Sequence, residues 1–231
     1  MGTGVRIPER VAAVSVGVLW GKKHRDPQPE LLPVTQIGLA IIERSKIVDR
    51  QLIGSAELLR SGERLAELDV PLVAFNALHF DWLALGALVD VSPLIPRTID
   101  IHSALYPCVA EIVDAEGVSG FPLRGDYGVL NPYRLAETNL GHVPGAADDA
   151  LGDAELAAEF WLHLIEHERA VVAGRTHTLS DESLALLRAE RPAFLDEASW
   201  RAELAKRPEP RAVRRRTRHQ VTFPRIDQRY P

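Results

Sequence analysis

The sequence predicts an α/β protein built on a mixed sheet, and three observations carry that prediction. The run VAAVSVGVL (Val11–Leu19) is apolar apart from Ser15 and Gly17, as expected of a central strand covered on both faces. Two β-branched runs, VTQIGLAII (Val34–Ile42) and KIVDRQLI (Lys46–Ile53), flank the tripeptide ERS and read as a hairpin. Beyond them helical and short apolar segments alternate.

Taken in order, the first strand is followed by KKHRDPQPE, a charged, Pro-containing loop, and then by the hairpin. AELLRSGERLAEL reads as a helix and VPLVAFN (Val70–Asn76) as a short buried strand. A helix is expected over Phe80–Val89, then a Pro-bounded turn and a strand around RTIDIH. Ser103–Ala115 reads as a helix with Pro107 in its first turn, where proline is tolerated. EGVSGFPLRGDYGVLNP has the length and Gly/Pro content of a functional or mobile loop. YRLAETNLG is a short helix stopped by Gly141. The strongest helical pattern runs from Asp149 to Val171, and two more helices cover Ser183–Ala189 and Glu197–Ala205. The expected organisation is one domain over residues 1–178, a helical extension over 179–206 and a basic tail over 207–231.

Composition narrows the class. With 231 residues and 46% apolar content the chain can bury a real core. No apolar run reaches the roughly 18 residues of a membrane span, so no membrane partner is expected. MGTGVRIPER shows no charged segment leading into an apolar stretch, hence no visible secretory signal, and no myristoylation pattern. The single cysteine, Cys108, fits a reducing compartment, and a cytoplasmic location is the expectation. The net charge of −5 excludes a wholly basic coat, yet it is unevenly spread. From Lys206 to Arg229 nine Lys/Arg stand against two acids.

Two aspartates sit where helices should be apolar. Residues three, four and seven apart share a helix face. Asp81 therefore shares its face with Ala84, Leu85 and Leu88, and Asp153 with Ala157, Phe160 and Leu164. A buried carboxylate needs a cation, a hydrogen-bond donor or a helix terminus. Capping alone is one reading, worth about 0.5–2 kcal/mol per residue. A shared cation site is the other, since Mg²⁺ is held by one or two carboxylates, waters and a substrate phosphate.

These residues resemble a known family. LVAFNALHFDWLAL is similar to the second motif of the DnaQ-like (DEDD-type) 3′–5′ exonucleases, and DDALGDAELAAEFWLHL to their third. VTQIGLAIIERSKIVDRQ looks like the hairpin after their first motif. TIDIHSAL looks like a later strand entering its helix, and YRLAETNLG like the helix before the third motif. The resemblance covers Val11 to Val171. It implies an RNase H-like fold, a mixed five-stranded sheet flanked by helices, and 3′-end nucleotide removal with two divalent metals. Two cations about 4 Å apart clamp the attacking and leaving oxygens, and a His or Tyr handles the water.

Carried over residue by residue, the resemblance is partial. Asp81 matches the second-motif acid and Asp153 the third-motif acid. The Asp-x-Glu of the first motif falls on Gly17-Val18-Leu19, and the third-motif His or Tyr on Asp148 or Asp149. Glu9 lies at the wrong end of the first strand to replace the missing pair, and Asp26 and Glu30 lie in a loop. Two metal acids and the usual base are thus absent. If the protein is active, Mg²⁺ or Mn²⁺ is the implied cofactor, held by Asp81 and Asp153 with Asp148 and Asp149 in the place of the base.

Other features have two readings. Asn76 touches substrate or holds a turn, with the turn preferred. Trp20, Phe75 and Trp82 stack on bases or cap the core. His79, His102, His142, His163, His167 and His177 show no metal spacing, and His163 and His167 read as a pair on a solvated face. RAVRRRTRHQ, with Arg214, Arg215, Arg216 and Arg218, either neutralises phosphates without reading sequence or serves as a solubilising end. Three functions remain open: a degenerate exonuclease domain binding single-stranded DNA, RNA or a partner protein; an exonuclease with a rearranged acidic site; and an interaction module that never meets nucleic acid.

Overall fold

The computed structural model describes residues 7–19, 28–116, 130–145 and 149–206. Strand β1 (Arg10–Val18) is buried along most of its length, as its unbroken apolar run requires. It lies between β2 (Val34–Glu43) and β4 (Leu72–Ala74). β2 pairs in turn with β3 (Lys46–Gly54), and β4 with β5 (Thr98–Asp100). The order is β3-β2-β1-β4-β5, antiparallel across β1–β2–β3 and parallel across β1–β4–β5. The β2–β3 turn rests on Arg44 and Ser45, both at positive φ (48° and 63°). That is the primed geometry matching the twist of a hairpin.

Alternation along β1 and β2 divides the core into two layers. Val11, Ala13, Ala40 and Ile42 face a layer built from α3 (Ile101–Glu116), α4 (Pro132–Leu140) and α5 (Ala150–His167). Ala12, Val14, Val16, Ile37, Leu39 and Ile41 face α1 (Leu58–Glu67) and α2 (Asp81–Leu85) on the other side. This is the expected mixed five-stranded sheet flanked by helices on both faces. Gly38 allows α5 to start directly on the sheet. A Cβ there would lie 2.0 Å from the Ala150 carbonyl oxygen, which no side chain can do.

The structure corrects three expected elements. The helix expected over Phe80–Val89 is the five-residue α2, and Leu88 beyond it is exposed. α5 ends at His167 rather than Val171, because Glu168 turns left-handed (φ 51°) and reverses the chain into β6 (Arg169–Val172) and β7 (Arg175–Thr178). Ala170 and Val172 are buried while Arg169 is exposed, a period of two. Ala173-Gly174, again both at positive φ, closes the hairpin. α3 begins at Ile101, so Pro107 falls inside the helix rather than in its first turn. The earlier start comes from Asp100, whose carboxylate accepts the Ser103 N–H at 3.1 Å.

The C-terminal helices clasp both layers. α6 (Asp181–Leu187) joins the α3–α5 side through Leu184 and Leu187. α7 (Glu197–Ala205) inserts Trp200 into the opposite side, where its indole N–H donates to the Leu78 carbonyl at 2.7 Å. Large aromatic-to-alanine changes in a core cost about 3–5 kcal/mol. Trp200→Ala is therefore expected to lower unfolding free energy in urea by about that amount, and a loss below about 1 kcal/mol would mean that α7 is not docked as described.

Candidate acidic site

Asp81 lies within electrostatic reach of two further acids, Asp100 and Asp153. Asp81 opens α2 and is only 7% exposed. Its Oδ1 accepts the backbone N–H of Val16 at 2.7 Å. Burial pushes its carboxyl up to about 7; the Val16 bond opposes the shift, and the charges of Asp100 and Asp153 add to it. Both other acids therefore lie near enough to be felt by Asp81.

Asp100 was not singled out from the sequence. It is 2% exposed, and its oxygens accept the N–H groups of Asn76 (3.2 Å), Ser103 (3.1 Å) and Leu78 (2.9 Å). Burial raises its carboxyl, against the charge of His102 and these N–H bonds. The visible signal was an acid at the last position of a strand running straight into a helix, a natural capping place. Asn76 holds the turn, in the left-handed region at φ 68°, with its N–H on Asp100.

Asp153 lies half-buried in the first turn of α5, and the Tyr133 hydroxyl from α4 donates to its Oδ1 at 2.5 Å. Tyr133 too was missed, since a tyrosine in the first turn of a short helix carries no sequence signal for a partner twenty residues on. Asp149 is the N-cap of α5: its Oδ1 accepts from Leu151 N (3.3 Å) and from Gln36 Nε2 (3.2 Å). Asp148, Trp20, Arg214, Arg215, Arg216 and Arg218 lie outside the described residues.

The strand wall beside these acids carries no carboxylate. Gly17 faces α5, since a Cβ there would lie 2.8 Å from Gln36 Cγ and 3.3 Å from Ala150 Cβ. By alternation Ser15 shares that face. Leu19 lies past the end of β1, 62% exposed, with its N–H on the Pro33 carbonyl. Phe75 packs edge-on to His102 and against Phe160, and Trp82 is fully buried with its N–H on Thr98 Oγ1 (2.8 Å). The base-stacking reading of Trp82 is thereby excluded. His163 and His167 do touch, with ring centroids 4.4 Å apart, but His163 is half-buried against Phe160 rather than solvated.

Two of the described acids are already engaged: Asp100 accepts three N–H groups and Asp149 caps a helix. Among the described residues no three His, Cys, Asp or Glu side chains are grouped to hold a metal ion.

No protein-family model matches the chain, and no curated protein does. Similar solved structures include exonuclease I, at 13% identity over 68% of this chain and 41% of that one, with a TM-score of 0.46. E. coli exonuclease I in complex with a dT13 oligonucleotide gives 13% identity, 69% and 42% coverage, and 0.48. A 3′-exonuclease that recognises the 3′ end of the histone mRNA stem-loop gives 8% identity, 75% and 92% coverage, and 0.49. The chain thus spans about two fifths of exonuclease I. Likeness at this level carries no argument about chemistry. No helix among the described residues is long and apolar enough to cross a membrane.

The site sets a pH dependence. The native state keeps the Asp81 proton up to about pH 7, whereas the unfolded chain releases it near 3.8. This group's contribution to stability is therefore fully present below about pH 4 and is lost as pH rises through about 7. Asp81→Asn keeps an oxygen for Val16 and carries no charge. Its unfolding free energy is expected to fall less than that of the parent between pH 4 and 8, with a gain of a few kcal/mol at the alkaline end. Parallel pH profiles for the two proteins would contradict the assignment.

Proposed function

We propose that the chain is a degenerate DnaQ-like exonuclease domain that binds single-stranded nucleic acid, or a protein partner, with two-metal cleavage impaired or lost. The observation that supports this reading is a charge contrast beside β1. Asp81, at the second-motif position, feels the charge of Asp153, at the third-motif position, while Ser15 and Gly17, the β1 residues on either side of Val16, carry no carboxylate. Neither residue supplies the negative charge that two cations need for charge balance.

The remaining groups suit holding rather than cutting. Val16 N–H and Tyr133 O–H each satisfy one oxygen of an acid without a cation. The arginine-rich segment from Arg211 to Arg218 would supply phosphate contacts, strongly salt-dependent and indifferent to sequence. In this reading residues 1–178 form the exonuclease-like unit, 179–206 its helical extension and 207–231 the basic arm.

Purified protein with labelled single-stranded DNA or RNA and Mg²⁺ or Mn²⁺ is expected to retard the oligonucleotide without shortening it. Turnover that needs metal and disappears in Asp81→Ala would overturn the proposal in favour of a rearranged active site. Deleting residues 207–231 is expected to abolish most of the retardation at moderate salt. If neither the full chain nor the deletion binds any oligonucleotide, the nucleic-acid part of the reading fails.

A further inference from the structure

A cleft lies at the far end of α5 from Asp153. It has a volume of about 250 Å³ and is lined by Thr138, Asn139, His163, Arg169, Val171 and Thr176. The hairpin register sets two of these walls. Val171 pairs with Thr176, and the odd-numbered β6 residues turn away from the core that takes Ala170 and Val172. Asn139 fixes the third wall, because its side chain accepts the Val171 N–H (2.7 Å) and donates to the Val171 and Leu135 carbonyls (3.0 and 2.8 Å). The lining therefore holds its shape without a ligand.

Its chemistry is one-sided. The walls offer a guanidinium, an imidazole and two hydroxyls, and no carboxylate. Arg169 makes no ion pair among the described residues, and the neighbouring Glu168 is held by Arg188. His163 is kept below its ordinary value by burial and by the His167 ring, with Glu166 opposing and the Arg169 charge adding to the depression. The C-terminal poles of α4 and α5 would repel an anion. Their carbonyls are already engaged, Leu135 by Asn139, Glu137 by Gly141 and Leu164 by Glu168.

We propose that this cleft binds a tetrahedral oxyanion, a phosphate either free or carried on a nucleotide, with Arg169 as its fork and Thr138 and Thr176 as hydroxyl donors. A water occupies about 30 Å³ of liquid, so the volume admits such an ion with part of its hydration. Planar guanidinium donors match phosphate oxygens in pairs. The site is separate from Asp81 and Asp153 and does not rest on the proposed function.

The test uses the full chain, ¹⁵N-labelled, titrated at low salt with inorganic phosphate and separately with adenosine monophosphate. Saturable shifts are expected at the amides of Arg169, Val171 and Thr176. Arg169→Ala should weaken binding by about tenfold or more, while Arg169→Lys keeps part of it. Saturation by inorganic phosphate means the free ion suffices; saturation by the nucleotide alone means the phosphate must be carried. The proposal is overturned if neither ligand shifts those amides, if shifts fall only on the arginines beyond Lys206, or if Arg169→Ala binds as the parent does.

Discussion

The bond from the Val16 N–H to Asp81 is the constraint around which the site is arranged. β4 pairs with β1 only at Ala12 and Ala13 and ends at Ala74, so the β1 edge beyond them has no strand beside it. A buried N–H without a partner costs free energy comparable to a lost hydrogen bond. Asp81 supplies the partner and thereby fastens α2 to the central strand. Asp100 does the same two strands over, gathering three N–H groups from the turn that leads to α2 and from the start of α3.

That division of labour explains how these buried carboxylates are held. A buried acid kept only for cations would be a liability without them, because burial in a low dielectric penalises the charged form. Here each acid has a neutral donor. Val16 serves Asp81, Tyr133 serves Asp153, and the helix start serves Asp149. Protonation of Asp81 near neutrality relieves what repulsion remains. The fold can hold this geometry whether or not a cation ever enters.

Much of the scaffold was legible because it obeys simple periods. The hairpin runs and the double-sided first strand follow from alternation, and the burial of Asp81 beside Ala84 and Leu85 from helical spacing, although Leu88, the far end of the expected stripe, lies beyond α2 and is exposed. The β6–β7 hairpin was not legible, because ERAVV continues the apolar pattern of α5 until the left-handed Glu168 breaks it. Asp100 and Tyr133 escaped for a different reason. Their roles depend on partners brought together only when β4, β5, α4 and α5 are assembled, and nothing local in TIDIH or NPYRL marks them.

The same bond also fixes which strand positions face the acids. The Asp81 carboxylate sits at Val16, whose neighbours on the α5 face are Ser15 and Gly17. Leu19 lies beyond the strand and is largely exposed. Space at Gly17 is also taken: Gln36 lies where a side chain would begin, and its amide is bonded to Asp149. A larger side chain at position 17 would have to displace Gln36, and with it the bond from Gln36 to Asp149, the N-cap of α5. The helix that carries Asp153 is thus tied to β2 at the position where β1 carries its glycine.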